Sequence, residues 1–215
     1  MEAAGVAGRP VPKGTWAVLA LVGVALYVVL DMVVQLLPPH YSPIRQAESD
    51  LGVGPYGWLM SVNFMVRGAL TLAAATAIAG AFPAASRPRF GLALLWVFGV
   101  GSALLAFFPT DILDDPRLVP HPVATPHGEI HLLLALIAFI AAPFGALLIS
   151  FRVERAGPLA AVRGAAVTLA LLASVALLAM PTLGRYHVGG LAERVLLACV
   201  LGWLALLAAT ARGAA

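Results

Sequence analysis

The 215-residue chain is 61% hydrophobic and only 11% charged, with a mean hydropathy of +0.97. A soluble domain carries about a quarter charged residues and could not hide this much apolar surface, so the composition excludes an ordinary soluble fold and points to lipid as the solvent. The net charge of +3 does not indicate a nucleic-acid partner, because the basic residues are scattered through short connecting segments and form no basic face with interleaved aromatics.

No polar linker divides the chain, so the length predicts one transmembrane domain over 1–215. A spanning helix needs roughly 20 mostly apolar residues. The first qualifying run covers 15–37 and is too long for the core of a signal peptide, so it reads as a retained helix stopped by Pro38 and Pro39. The second covers 55–82, with Pro55 expected in its first turn, where the missing N–H costs nothing. The third covers 90–108 and is followed by Pro109. The remaining three cover 130–151, 164–183 and 191–210. The expected fold class is therefore an all-α integral membrane protein, a bundle of six transmembrane helices.

Loop charges predict its orientation. Arg9, Lys13, Arg87, Arg89, Arg152, Arg155, Arg163 and Arg212 fall on one side, against Arg45, Arg117, Arg185 and Arg194 on the other. The positive-inside rule puts both termini in the cytoplasm. The longer loops, 38–54 and 109–129, then lie outside and carry most of the polar residues. The lone cysteine, Cys199, sits in an apolar run and reads as a small packing residue.

Ionisable groups inside a membrane are costly, and they mark function more often than packing. Arg67 falls about 12 residues, roughly 18 Å, into the second run. Asn63 lies one turn earlier on the same face. Asp31 lies in the outer third of the first run, with Gln35 one turn above it. Asp31 and Arg67 are expected to pair, or to share a water-filled pocket; a purely structural ion pair explains them equally well.

All five histidines fall on the predicted outer side. His127 and His131 are four apart, the spacing of metal ligands on one helix face, although Gly128 argues against helix at His127. With Asp111 and His187 they would make an open zinc site. Helix capping by the same histidines is the simpler reading. Glu193 and Arg194 follow Gly189 and Gly190 at the start of the last run and would line the same outer rim. Neither a phosphate loop nor a nucleophile elbow is present.

Four stretches together resemble a known family: Ser49–Met60 before the second helix, Phe108–Asp111 ending the third, Gly128–His131 opening the fourth and Gly190–Arg194 opening the sixth. Their order and spacing resemble the prokaryotic membrane family catalogued as domain of unknown function 998. That resemblance implies a six-helix protein of a prokaryotic cell membrane, and it raises Asp111, His131, Glu193 and Arg194 above His40, His121 and His127. A looser similarity links His127, His131 and Asp111 to membrane hydrolases related to alkaline ceramidases, which hold zinc at one membrane face. Those enzymes have seven helices, and the serine and additional histidine of their early helix are missing here.

Three function classes follow. The leading one is a non-enzymatic membrane protein whose outward-facing polar pocket binds or transports a small polar molecule or a lipid headgroup. Asp31, Asn63 and Arg67 would form its floor, and Asp111, His131, Glu193 and Arg194 its rim. The second is a metal-dependent hydrolase of lipid or lipid-linked substrates, with zinc on Asp111, His131 and either His127 or His187. The third is a scaffold subunit acting through its lipid-facing surfaces. No motif in the chain names a ligand or an oligomeric state.

Overall fold

The computed structural model describes residues 13–39, 41–112, 123–154 and 157–213. His40 and His121, with Arg9, Arg117 and Arg155, lie outside the described residues. Six α-helices carry the fold: α1 (Lys13–Gln35), α2 (Gly57–Gly80), α3 (Arg89–Leu105), α4 (Pro126–Arg152), α5 (Arg163–Arg185) and α6 (Gly189–Gly213). Two short 3-10 turns, Glu48–Gly52 and Ala160–Val162, lie in the connections. Among the described residues there is no strand.

Five helices are long and apolar enough to cross a membrane; α3, at 17 residues, is shorter. The third expected run stops at Leu105 rather than 108, because Ala106 to Phe108 continue as turns that bond back three residues. The second begins at Gly57, not Pro55. Gly54 adopts φ +89°, and the Gly57 N–H closes a turn onto the Gly54 carbonyl, so Pro55 belongs to that turn and not to the helix. The fourth begins earlier than expected, at Pro126. Thr125 caps it by accepting from the Gly128 N–H at 3.1 Å, and Pro126 occupies the first helical position. His127 is therefore helical despite Gly128.

Consecutive helices pack side by side, and α1 closes the ring against α6. Helices α2 and α6 also meet each other across the middle. Their faces form the core, with Leu70, Ala74 and Ile78 of α2 and Leu196, Trp203, Leu204 and Leu207 of α6 all buried. The outer faces are apolar and open: Val22, Val29 and Met32 on α1, Leu132, Leu136 and Phe144 on α4, and Val175 and Leu178 on α5. Exposed hydrophobics on this scale suit acyl chains, not water. The molecule is an integral membrane protein.

Small residues set the helix spacing. A Cβ on Gly68 would fall 2.8 Å from the Gly99 carbonyl oxygen, and one on Gly99 would fall 3.2 Å from that of Gly68. Gly91 and Gly145 repeat the arrangement between α3 and α4, at 3.1 and 3.0 Å. The short α3 is thus held backbone to backbone on both sides. That contact aims Ser102, near its end, at α2.

Candidate functional site

The connection from α1 to α2 folds back into the bundle. Leu51 is 1% exposed and packs with Val34, Met60 and Phe64 in a small apolar cluster. Burial of Leu51 draws in the whole Glu48–Gly52 turn, here called the strap, and buries Glu48 with it. Such a strap needs every polar group satisfied, and α6 supplies the partners.

Arg194 is the main one. Its Nη1 donates to the carbonyls of Pro43 at 2.9 Å, Gln46 at 3.1 Å and Gly190 at 3.2 Å, and its Nη2 donates to the Tyr41 hydroxyl. Burial holds the Tyr41 phenol above its ordinary pKa, against the opposing pull of Arg194. The hydroxyl keeps its proton and donates it to the Ala47 carbonyl at 2.8 Å. The Leu191 N–H donates to the Ile44 carbonyl at 3.0 Å, and the Glu48 N–H donates to Glu193 Oε2 at 3.2 Å. Gly190 makes this contact feasible, since a Cβ there would run into the carbonyls of Gln46 and Pro43.

Beneath the strap lies a buried charge network. Arg67, only 1% exposed, donates from Nη1 to Glu48 Oε2 at 3.1 Å and to the Tyr27 hydroxyl at 3.2 Å, and from Nε to Ser102 Oγ at 3.1 Å. Tyr27 donates in turn to Glu48 Oε1, closing a triangle. The guanidinium also lies over the rings of Phe64, Tyr27 and Phe98, at 5.0, 5.7 and 5.8 Å.

The expected direct pairing of Asp31 with Arg67 is therefore corrected: the partner of Arg67 is Glu48. The depth gap between Asp31 and Arg67 is filled by a carboxylate that descends from the loop. Asp31 lies one turn nearer the helix end than Tyr27. Its Oδ2 accepts from Gln35 Nε2 at 2.6 Å, and it faces Glu48 and Arg194 electrostatically.

Asn63 lies one turn from Arg67 on α2 and is fully buried, yet neither its Oδ1 nor its Nδ2 has a hydrogen-bond partner. Arg194 Nε is also buried and unpartnered, whereas the Asp31 carboxyl shares a side-chain hydrogen bond with Glu48. Buried polar atoms are nearly always satisfied, so the open amide of Asn63 needs an explanation.

The other predicted residues gather elsewhere. Asp111 clasps the start of α4: its Oδ2 accepts from the Thr125 N–H at 2.6 Å, and its Oδ1 from the Thr125 hydroxyl at 3.0 Å. His131 Nδ1 lies 2.6 Å from the Phe108 carbonyl, and its ring tilts on Phe64 at 6.1 Å. His127 tilts on Phe108 at 5.9 Å. Asp111, His127 and His131 therefore join the end of α3 to the start of α4, with Phe64 standing between His131 and Arg67.

His187 is separate again. It adopts φ 58° in the α5–α6 turn, its N–H donates to the Gly184 carbonyl, and the following Val188 N–H donates to that of Leu183. This is a Schellman helix stop with histidine where glycine is usual. Among the described residues no three His, Cys, Asp or Glu side chains converge on a site for a metal ion. His187→Gly is expected to raise stability by about 1 kcal/mol, because the left-handed conformation costs a side chain that much. Thermal unfolding in detergent checks this, and a fall in stability would give the imidazole a role of its own.

The four stretches quoted from the sequence all sit on this framework: Ser49–Met60 is the strap and the start of α2, Phe108–Asp111 and Gly128–His131 form the clasp, and Gly190–Arg194 holds the strap. Residues 4–210 match the model of a family described as a protein of unknown function, DUF998. The chain belongs to the DUF998 family. No curated protein matches it and no solved structure does. The family supplies no activity for this DUF998 member, so its chemistry has to be read from the site itself.

Tyr27, Tyr41, Glu48 and Ser102 were not among the candidate site residues read from the sequence, where Tyr41 counts as an interfacial aromatic, Glu48 as an outer acid and Ser102 as a packing residue. Tyr27 carried a signal: Tyr27, Asp31 and Gln35 recur every four residues along an otherwise apolar helix of this DUF998 chain. Glu48 carried none, since an acid in a polar loop ordinarily faces water.

Proposed function

We propose that the strap end of the bundle is an outward-facing binding site for a small polar molecule or a lipid headgroup, in a protein that acts as a transporter or a sensor in a prokaryotic cell membrane. The observation that carries this reading is Asn63: fully buried, with both amide atoms unpartnered, one turn from the Arg67–Glu48 pair. An amide left in this state costs about 1–3 kcal/mol per unmade bond. A ligand that donates to one atom and accepts from the other would recover that energy on binding. The outward direction rests on the loop arginines: Arg87, Arg89, Arg152, Arg163 and Arg212 all lie at the end opposite the strap.

Asn63→Leu separates a binding residue from a packing residue. It keeps the volume and removes the open amide, so unfolding in detergent should shift upward by about 1–3 kcal/mol. The wild-type protein should be stabilised further by added polar lipid or by a member of a panel of small polar solutes, and the variant should lose that response. A variant that keeps every response of the wild type would sink this reading.

A further inference from the structure

We infer that the carboxyls of Asp31 and Glu48 form a proton-binding site, and that the single proton they share holds the strap closed until its release to the outside opens it. The inference goes beyond the binding role proposed above. It names the ion to which the strap responds, and it stands whether or not Asn63 takes a ligand.

Hydrogen bonding requires the proton. The Asp31 carboxyl shares a side-chain hydrogen bond with that of Glu48. An ionised carboxylate only accepts, so a bond between two carboxyls exists only if one of them is a carboxylic acid. Glu48 is the ionised partner. Its Oε2 accepts from Arg67 Nη1 at 3.1 Å and its Oε1 from the Tyr27 hydroxyl, so both oxygens act as acceptors beside a buried guanidinium. The proton therefore resides on Asp31, whose Oδ2 also accepts from Gln35 Nε2 at 2.6 Å.

Each element packed around Asp31 contributes a group to this balance. On α1 the neighbours are Tyr27 and Gln35, and on the strap Glu48. From α2 comes Arg67, which engages Glu48 rather than Asp31. From α6 come Arg194 and Glu193. Arg194 attracts Asp31 across space, but its Nη atoms are committed to Pro43, Gln46, Gly190 and Tyr41. Glu193 is a further acid facing Glu48, whose N–H it accepts. Loss of the Asp31 proton would set two carboxylates within hydrogen-bond reach of each other, away from bulk water, where like charges repel strongly.

The strap is the part that yields. Asp31 belongs to the continuous helix α1, whereas Glu48 opens a five-residue 3-10 turn held by the burial of Leu51 and by bonds to α6. Repulsion from Asp31 acts directly on Glu48 and so against that attachment. The closed state binds the proton and the open state does not. Closure is therefore favoured at low pH and lost as pH rises through the titration of Asp31. Asp31 is half-buried and lies about 6 Å from the strap end of α1, so its proton exchanges with the outer water. Acids within membrane helices serve as proton relays for the same reason, that their charge is costly there.

The test follows amide exchange of residues 42–52 in the detergent-purified full chain over a pH series, corrected for the intrinsic pH dependence of exchange. Infrared spectroscopy of the carboxylic-acid carbonyl band runs beside it. Strap protection in the wild type should fall about ten-fold per pH unit beyond the transition, the slope of one linked proton, while the helix cores keep theirs. An acid band should disappear over the same range. Asp31→Asn supplies a permanent N–H donor in place of the proton, so its strap should stay protected throughout and the titrating band should be lost. Glu193→Gln should keep both the band and the slope. A wild-type strap whose protection does not change with pH overturns the inference. So does a titrating band that survives in Asp31→Asn and vanishes in Glu193→Gln, which would give the proton to Glu193. Asn63→Leu should retain the pH profile whatever it does to ligand responses, which separates this inference from the binding role.

Discussion

Glu48→Ala is expected to destabilise the bundle by about 3–5 kcal/mol, the cost of leaving a buried charge without its partner. The Arg67 guanidinium cannot turn to water, since it is 1% exposed and enclosed by the rings of Tyr27, Phe64 and Phe98. Ser102 and Tyr27 remain as neutral acceptors, and neither carries a compensating charge. The Tyr27 hydroxyl loses the acceptor of its own proton in the same step. Glu48→Ala combined with Arg67→Met should recover most of the loss, because the double variant removes both charges and keeps apolar volume. Chemical unfolding in detergent of the two single variants and the double variant measures the coupling. Losses that simply add would mean the pair contributes little, and the strap is then held by Leu51 and α6 alone.

Arg194→Ala carries the second large effect, about 3 kcal/mol, on the scale of charged hydrogen bonds. The variant strips donors from the carbonyls of Pro43 and Gln46 and from Tyr41, all on the connection that leads into the strap. It also removes one of two guanidiniums that, among the described residues, face Asp31, Glu48 and Glu193. Arg194→Lys should not restore the wild type. An ammonium has three donors at one point, whereas the guanidinium reaches three carbonyls and a hydroxyl from separate nitrogens. Amide hydrogen exchange is the discriminating measurement: residues 42–48 should lose protection in both variants, while the helix cores keep theirs. Unchanged protection would show that the Leu191–Ile44 and Glu48–Glu193 bonds hold the strap without Arg194.

Much of the fold was legible because membrane insertion is a local matter. A run of roughly 20 apolar residues declares a helix without reference to the rest of the chain, and all six expected runs coincide with helices to within a few residues at either end. Misread ends had local causes that composition hides. Thr125 and Pro126 start α4 a turn before its apolar run, and the positive φ of Gly54 keeps Pro55 out of α2. At the site, Asp31, Asn63, Arg67, Glu193 and Arg194 stood out because a polar side chain in an apolar helix is costly. The sequence grouped Asp111, His127, His131 and His187 as metal ligands; in the structure the hydrogen bonds and ring contacts of the first three go to Thr125, Phe108 and Phe64, and His187 stands apart in the α5–α6 turn.

By itself, then, the sequence determined the solvent, the six helices and the helix faces that carry polar groups, since each depends on residues within a few turns of one another. Which charges meet was decided only by the tertiary structure. Glu48 and Arg67 are 19 residues apart, Glu48 and Glu193 are 145, and Arg194 and Tyr41 are 153. A strap that turns inward leaves no local period to read; it folds there because burying Leu51 and engaging Arg194 together outweigh drawing a carboxylate out of water.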